Sequence, residues 1–232
     1  MTRWKITIEY DGRPYAGFQI QPDIKTVQGE LQKAIKAFCQ QDIAVTVAGR
    51  TDSGVHARGQ VAHFDLDYCR ADGSKREMSG HEMAKAMNAH LVPQPISVIH
   101  AEEVLEDFHA RFGAKHKLYS YHIINRPYML ALDQGRAWWR KTKLDVAAMQ
   151  EAAKILIGKH DFTTFRDTEC QAKSPVRTVD ALDIETHNII GGQEIIMHAR
   201  EENLMNYYCH AVTNVVPSFK RVPIYPSYPK DF

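Results

Sequence analysis

The chain has 232 residues, of which 44% are hydrophobic and 25% are charged, and its formal net charge is +1. This composition is typical of a soluble globular protein, and the length allows one large domain or two small ones. No apolar run approaches the roughly 20 residues that cross a membrane, and the N-terminus has no apolar stretch of secretory length, so we expect a cytoplasmic protein. Nucleic-acid binders usually carry a basic excess, which this chain lacks. For binding a nucleic acid, local clusters of cations therefore matter more here than the net charge.

The first hundred residues alternate between strand and helix patterns. Period-two alternation predicts a strand over 4–10, which the turn at 11–14 ends. Thr26 is a suitable N-cap for a helix with an apolar face formed by Val27, Leu31, Ala34, Ile35 and Phe38. After it we predict strands over 43–48 and 60–67, a helix over 81–90 and a strand over 96–103. This order is typical of an α+β domain with an antiparallel sheet and helices on one face.

The second half repeats this order of elements loosely. The patterns predict strands over 117–124, 177–185 and 194–198, and helices over 145–156 and 207–219. The repetition suggests two related halves that face each other across a cleft. We place the boundary so that the N-terminal half is 1–107 and the C-terminal half is 108–232.

Cysteine and histidine spacing argues against a metal site. The four cysteines lie far apart without a C-x-x-C spacing, which favours reduced thiols at Cys39, Cys69, Cys170 and Cys209. The alternative at His56 and His63, which are seven residues apart, is a shared ligand, but we expect each of them to pack or to form hydrogen bonds.

Basic residues cluster at two places in the second half of the chain. One cluster contains Arg111, Lys115, His116 and Lys117; the other contains Arg136, Arg140, Lys141 and Lys143. Each cluster alone is as compatible with a solvated surface as with an anion-binding one.

The segment from residue 48 to residue 64 is the candidate catalytic region. Asp52 lies between two glycines at the end of an apolar strand, and glycine lets the backbone turn sharply and approach a flat ligand. Arg50 and Arg58 place positive charge where an anion would lie, which makes both candidate substrate-binding residues. The pattern suits one carboxylate that acts on a polyanionic substrate. The alternative is a turn-forming aspartate that bonds its own backbone.

This segment resembles the catalytic loop of the tRNA pseudouridine synthase A family, G-R-T-D-x-G-V-H-x-x-G-Q-V-x-H-F, and it matches each fixed position. Further segments resemble the family as well. They include Y-D-G-x-x-Y-x-G-F-Q-x-Q from Tyr10, F-H-A-R-F at 108–112 and D-F-T-T-F-R from Asp161. The resemblance runs from residue 4 to about residue 200.

The resemblance implies an α+β pseudouridine synthase fold with the active site in a cleft between two halves. It implies that the chain converts uridine to pseudouridine in the anticodon stem-loop of tRNA, at positions 38 to 40. Asp52 would attack the uridine, at the ribose or at the base, and Arg50 would contact the RNA. Tyr119 would stack on the target base, while His109 and Arg111 would line the substrate channel. The family works as a homodimer on tRNA, without a cofactor or a metal.

The last 30 or so residues depart from the family pattern, so the tail from about 201 is atypical. Thr213 stands where the family has an arginine that pairs with the catalytic aspartate, and Pro217 stands in place of a glycine. A partner cation keeps an enclosed carboxylate ionised. One alternative is therefore a catalytically impaired tRNA-binding protein of the same fold. Another is a hydrolytic glycosylase in which Asp52 activates water.

Overall fold

The structure is a computed structural model that describes residues 1–68, 77–163, 175–202 and 224–225. The chain divides into two compact units, Met1–Ala114 and Lys115–Phe232. Over the described residues, the first unit combines antiparallel strands with two helices and the second combines mainly antiparallel strands with one, which confirms the predicted α+β class.

Over its described residues, the first unit contains four antiparallel strands and two helices. β1 (Thr2–Tyr10) lies between β4 (Ile96–Val104) and β3 (Ala57–Leu66), and the short β2 (Thr46–Val47) pairs with β3. The helices are α1 (Val27–Cys39) and α2 (Gly80–Leu91). Alternate residues of β1 are buried in one apolar core with residues of both helices, as the period-two pattern predicted.

Side chains just before each helix fix where it begins. Thr26 accepts a hydrogen bond from the Gly29 N–H at 3.2 Å, as expected of the N-cap of α1. Ser79 and Glu82 form a capping box at the start of α2, which places that start one residue before the predicted one. Cys39, in the last turn of α1, is a buried free thiol; the other cysteines lie outside the described residues.

The second unit is built around β5 (His116–Asn125). β10 (Gly192–Glu202) pairs antiparallel with β5 and with β9 (Ala181–Ile189), while β11 (Ile224–Tyr225) pairs with β5. β6 (Trp138–Arg140) runs parallel to the end of β5. The other elements in the described part of this unit are α3 (Val146–Leu156) and a two-stranded sheet of β7 (Gly158–Asp161) and β8 (Val176–Val179).

Two predicted strands differ from the structure for identifiable reasons. The strand expected over 43–48 forms only at β2, because Gln28 and Gln32 of α1 bond the backbone carbonyl and N–H of Val45. The strand expected over 177–185 is divided at Asp180, whose N–H donates to Arg200 O at 3.0 Å. β8 therefore pairs with β7, whereas β9 pairs with β10.

Some expectations fall on residues that the structure leaves undescribed. The helix predicted over 207–219, with Thr213 and Pro217, lies outside the described residues. Over the ranges that are described, no helix is long and apolar enough to cross a membrane. The same ranges contain no group of three or more His, Cys, Asp or Glu side chains arranged to hold a metal ion.

Candidate active site

Asp52 lies on the loop between β2 and β3, and its side chain is exposed. The chain leaves β2 at Ala48, whose N–H donates to Val61 O at 2.8 Å. It then turns over 52–55, where the Val55 N–H donates to Asp52 O at 3.2 Å. Gly54 in this turn has φ +78°, in the left-handed region that favours glycine. Asp52 is thus the first residue of a tight turn.

The residue before Asp52 is fixed by contacts from the N-terminal segment. The Phe18 N–H donates to Thr51 O at 2.9 Å. The hydroxyls of Tyr10 and Thr51 lie 2.9 Å apart in a buried contact. Because Thr51 is bonded through both its backbone and its side chain, the chain enters Asp52 in a defined direction.

The residues after Asp52 are held by one carbonyl of the same N-terminal segment. Tyr15 O accepts hydrogen bonds from the Ser53 hydroxyl at 3.2 Å and from the Gly54 N–H at 3.4 Å. The backbone is therefore restrained on both sides of Asp52, while the carboxylate itself remains accessible.

Two glycines allow the N-terminal segment to approach this loop so closely. A Cβ atom built on Gly12 would overlap the carbonyl oxygen of Val55. One built on Gly17, which has φ +100°, would lie 2.8 Å from Thr51 O. The segments Y-D-G-x-x-Y-x-G-F and G-R-T-D-x-G-V-H, separate in sequence, are two parts of one packed structure.

His56 ties the end of the loop to the turn at Asp11 and Gly12. Its Nδ1 lies 3.2 Å from Asp11 Oδ1 and 3.3 Å from Gly12 N. An unprotonated Nδ1 accepts the Gly12 N–H, whereas a protonated Nδ1 donates to the Asp11 carboxylate. Burial raises the pKa of Asp11, but hydrogen bonds from Arg13 and nearby positive charge outweigh burial and hold that pKa below its ordinary value. With either partner, His56 Nδ1 forms a hydrogen bond, as we expected.

Arg50 and Arg58 are both exposed, one on the loop and the other at the start of β3. The loop carbonyl of Gly49 accepts a buried hydrogen bond from Gln60 Nε2 at 2.7 Å. Arg58 and Gly59 together stand opposite Glu9 of β1, which is a β-bulge. Bulges redirect side chains and occur often beside active sites. The structure thus places two exposed cations on the chain segment that carries Asp52.

His109 and Arg111 belong to a segment that docks on β1 and β3. The Ala110 N–H donates to His63 Nδ1 at 3.2 Å, and the Arg3 Nη1 donates to Phe108 O at 3.0 Å. The rings of His63 and His109 lie 4.8 Å apart, centroid to centroid. Both His109 and Arg111 are half-buried in the first unit. Their role in a substrate channel stays a prediction.

His63 is expected to make folding depend on pH. Burial, together with the neighbouring His109 and Arg3, lowers the pKa of His63 to about 4. The unfolded chain takes up a proton at this residue near pH 6.5, whereas the folded chain resists protonation until about pH 4. The free energy of unfolding is therefore at its full value above about pH 6.5. It decreases by up to about 3 kcal/mol as the pH falls to 4.

Urea unfolding between pH 4 and pH 7.5 measures this dependence. Asparagine carries its amide oxygen close to the position of Nδ1, so His63→Asn keeps an acceptor for the Ala110 N–H but does not titrate. We expect a flatter profile in His63→Asn than in the wild type. Parallel profiles would show that His63 contributes nothing to the acid dependence.

Tyr119 lies on β5 of the second unit, where it pairs with Ala199 of β10 and Ile224 of β11. It is only 6% exposed, and Tyr121, two residues further along, is also buried. The stacking role stays a prediction.

Comparison with known proteins gives the family. Residues 6–113 and 152–226 match the family model described as tRNA pseudouridine synthase. The chain is 50% identical over 222 residues to tRNA pseudouridine synthase A of Xanthobacter autotrophicus, covering 96% of this chain and 84% of that protein. The protein of the same name from Caulobacter vibrioides is 44% identical over 216 residues, covering 93% of this chain and 83% of that protein.

A third relative and one solved structure are also similar to this chain. tRNA pseudouridine synthase A of Bradyrhizobium diazoefficiens is 52% identical over 184 residues, covering 79% of this chain and 72% of that protein. A chain in the crystal structure of a Cbf5-Nop10-Gar1 complex aligns with a TM-score of 0.38 at 10% identity, covering 97% of this chain and 60% of that chain. That structural similarity is too low to carry an argument. On the family model and the sequence relatives, the chain belongs to the tRNA pseudouridine synthase family.

Proposed function

We propose that this chain converts uridine to pseudouridine in tRNA with Asp52 as the catalytic nucleophile. The reaction follows from the family to which the chain belongs. In it the bond from ribose C1′ to N1 of uracil is replaced by a bond from C1′ to C5. C5 loses a proton and N1 gains one, so no oxidant or reductant is consumed.

The observation that carries the assignment of Asp52 is an exposed carboxylate on a restrained loop. A nucleophile must reach its substrate while the surrounding protein holds it in a productive orientation. Thr51 and Gly54 are bonded to the N-terminal segment on either side of Asp52. These contacts support a loop built to present this side chain rather than an ordinary turn.

The substrate contacts follow from charge and from the family resemblance. We assign Arg50 and Arg58 to the sugar–phosphate backbone around the target uridine, because both are exposed near Asp52 in the chain. His109 and Arg111 are assigned to the substrate channel and Tyr119 to the target base. The proposed target is the anticodon stem-loop, at positions 38 to 40 of tRNA. The proposal includes a division into halves 1–107 and 108–232 with the active-site cleft between them, and a cytoplasmic location.

The alternative is a tRNA-binding protein of the same fold that has lost turnover. Thr213 favours it, since the resembled family has an arginine there; the position lies outside the described residues but inside the matched range 152–226. Tritium release from tRNA labelled at uridine C5 separates the two readings. Tritium release by the wild type supports the synthase. If the wild type binds tRNA without releasing tritium, and Thr213→Arg restores the release, the alternative is supported. Appearance of free uracil would instead identify a glycosylase.

We further propose that the protein is a homodimer, as the family resemblance implies. Light scattering coupled to size-exclusion chromatography should then return twice the chain mass of 26.5 kDa at micromolar concentration. A mass of one chain at that concentration would reject the dimer without affecting the assignment of Asp52.

A further inference from the structure

Positive charge is concentrated in one loop of the second unit. Residues 126–143, here called the basic loop, carry one acid, Asp133, against five cations: Arg126, Arg136, Arg140, Lys141 and Lys143. The basic loop thus has a net charge of +4 in a chain whose total is +1. The rest of the protein is slightly acidic, so a polyanion near the second unit is drawn toward this loop.

Over the described parts of the chain, no carboxylate neutralises the cations of the basic loop. Among the described residues, none of the five forms an ion pair with a carboxylate, whereas Arg3, Lys5 and Lys36 do. Arg136, Lys141 and Lys143 are exposed. Leaving several cations together and unpaired is unfavourable for the protein alone and favourable for binding an anion.

Hydrogen bonds hold the two arms of the basic loop together. Buried Asn125 donates through Nδ2 to Arg140 O and to Thr142 O, each at 2.8 Å, and accepts from the Leu144 N–H at 2.9 Å. Trp139 Nε1 donates to the backbone carbonyl of Arg126 at 2.8 Å. The exposed cations are therefore mounted on an ordered frame, which reduces the entropy lost when they bind a ligand.

Aromatic rings lie among these cations. The guanidinium carbon of Arg140 lies 4.8 Å from the centroid of the Trp138 ring, and Tyr128 is 72% exposed. Cations combined with accessible rings suit RNA, whose backbone needs positive charge and whose bases stack on aromatic faces. Since Asn125 is six residues beyond Tyr119 on β5, the basic loop begins about 20 Å from the proposed base-stacking residue.

We propose that the basic loop binds the sugar–phosphate backbone of tRNA at a distance from the reacting uridine. This inference rests on the proposed function, because it takes tRNA as the substrate and Tyr119 as the residue beside the target base. The loop adds affinity without touching the reacting atoms. It thereby explains how an almost neutral chain can hold a polyanionic substrate.

The test removes the exposed cations and leaves the frame intact. The variant is Arg136→Ala/Lys141→Ala/Lys143→Ala. The control, Lys33→Ala/Lys85→Ala/Lys154→Ala, removes the same charge from exposed positions on the three helices. Binding to unmodified tRNA transcript is measured by filter binding from 50 to 300 mM KCl, kinetics by tritium release, and folding by Tm.

We expect the loop variant to lose about 2 from the slope of log Kd against log salt, because each phosphate contact contributes roughly 0.7–0.9. Its Kd at 150 mM salt and its KM should rise about tenfold, with kcat at saturating tRNA within twofold of the wild type. The control should match the wild type. An unchanged slope in the loop variant, or an equal loss in both variants, overturns the inference.

The readouts keep this inference separate from the proposed function. Wild-type protein that binds tRNA but releases no tritium would refute the proposed activity, while the salt slopes would still judge the basic loop. Normal wild-type turnover with unchanged binding and KM in the loop variant would refute the loop alone. Absence of tRNA binding by the wild type would refute both.

Discussion

Asp52→Asn is expected to lower the rate of pseudouridine formation by at least about 10³-fold. Asparagine has nearly the same size as aspartate but carries no negative charge, so it cannot act as the carboxylate nucleophile. Asparagine keeps the backbone and the size of this exposed residue, and Thr51, Ser53 and Gly54 bond the loop to the N-terminal segment. We therefore expect the fold to be unchanged and the Kd for tRNA to stay within about threefold of the wild-type value.

Asp23→Asn is the matched control for this experiment. Asp23 is exposed on the same unit and has φ +57°, a conformation that asparagine adopts readily. It should leave tritium release unchanged. Full activity of Asp52→Asn would remove Asp52 from the proposed mechanism, although membership of the family, which rests on the whole chain, would stand. Loss of activity in both variants would point to a general effect of surface charge.

Regular elements of this protein are predictable from local patterns. The apolar stripe beginning at Val27 and the N-cap Thr26 locate α1, and alternation from Trp4 to Tyr10 locates β1. In α3, Met149, Ala153 and Leu156 of the predicted apolar stripe are the less exposed positions, as a helical period requires. Each of these features depends on residues within a few turns of one another, which is why the sequence reveals them.

Features set by distant partners are not predictable in this way. Val45 lies in an apolar run typical of a strand, yet Gln28 and Gln32 of α1 take its backbone hydrogen bonds. The short β6 exists because it pairs with the end of β5, and nothing in Trp138–Arg140 alone requires it. Long-range contacts override local preference at such positions.

The candidate site shows the same division between local and distant information. The glycines beside Asp52 and the neighbouring Arg50 and Arg58 mark the loop in the sequence itself. The contribution of the segment from Tyr10 to Phe18 does not appear there, because its bonds to Thr51 and Gly54 span more than thirty residues. The sequence therefore identifies the candidate nucleophile, whereas only the structure identifies the residues that hold its loop.

Gly12→Ala is expected to lower kcat about 100-fold and to leave the Kd for tRNA nearly unchanged. The added methyl group would overlap the carbonyl oxygen of Val55, so one of the two backbones must move. Val55 closes the turn that begins at Asp52, and a displacement of about 1 Å at a reacting group can cost 100-fold in rate. The exposed cations of the basic loop, which we propose add affinity for tRNA, lie in the second unit and remain in place.

Gly59→Ala is the control that separates displacement of the loop from loss of a glycine. A Cβ atom on Gly59 would meet nothing closer than Thr7 Cγ2 at 4.0 Å, so alanine fits there without movement. Tritium release should be measured well below the Tm of each variant, with the folded fraction checked by circular dichroism. A folded Gly12→Ala protein with wild-type kcat would mean that the N-terminal segment does not position Asp52. Equal losses of kcat in the two glycine variants would mean that the bulge at Arg58 and Gly59 tolerates a methyl group no better than the loop does. The open space around Gly59 argues against that result.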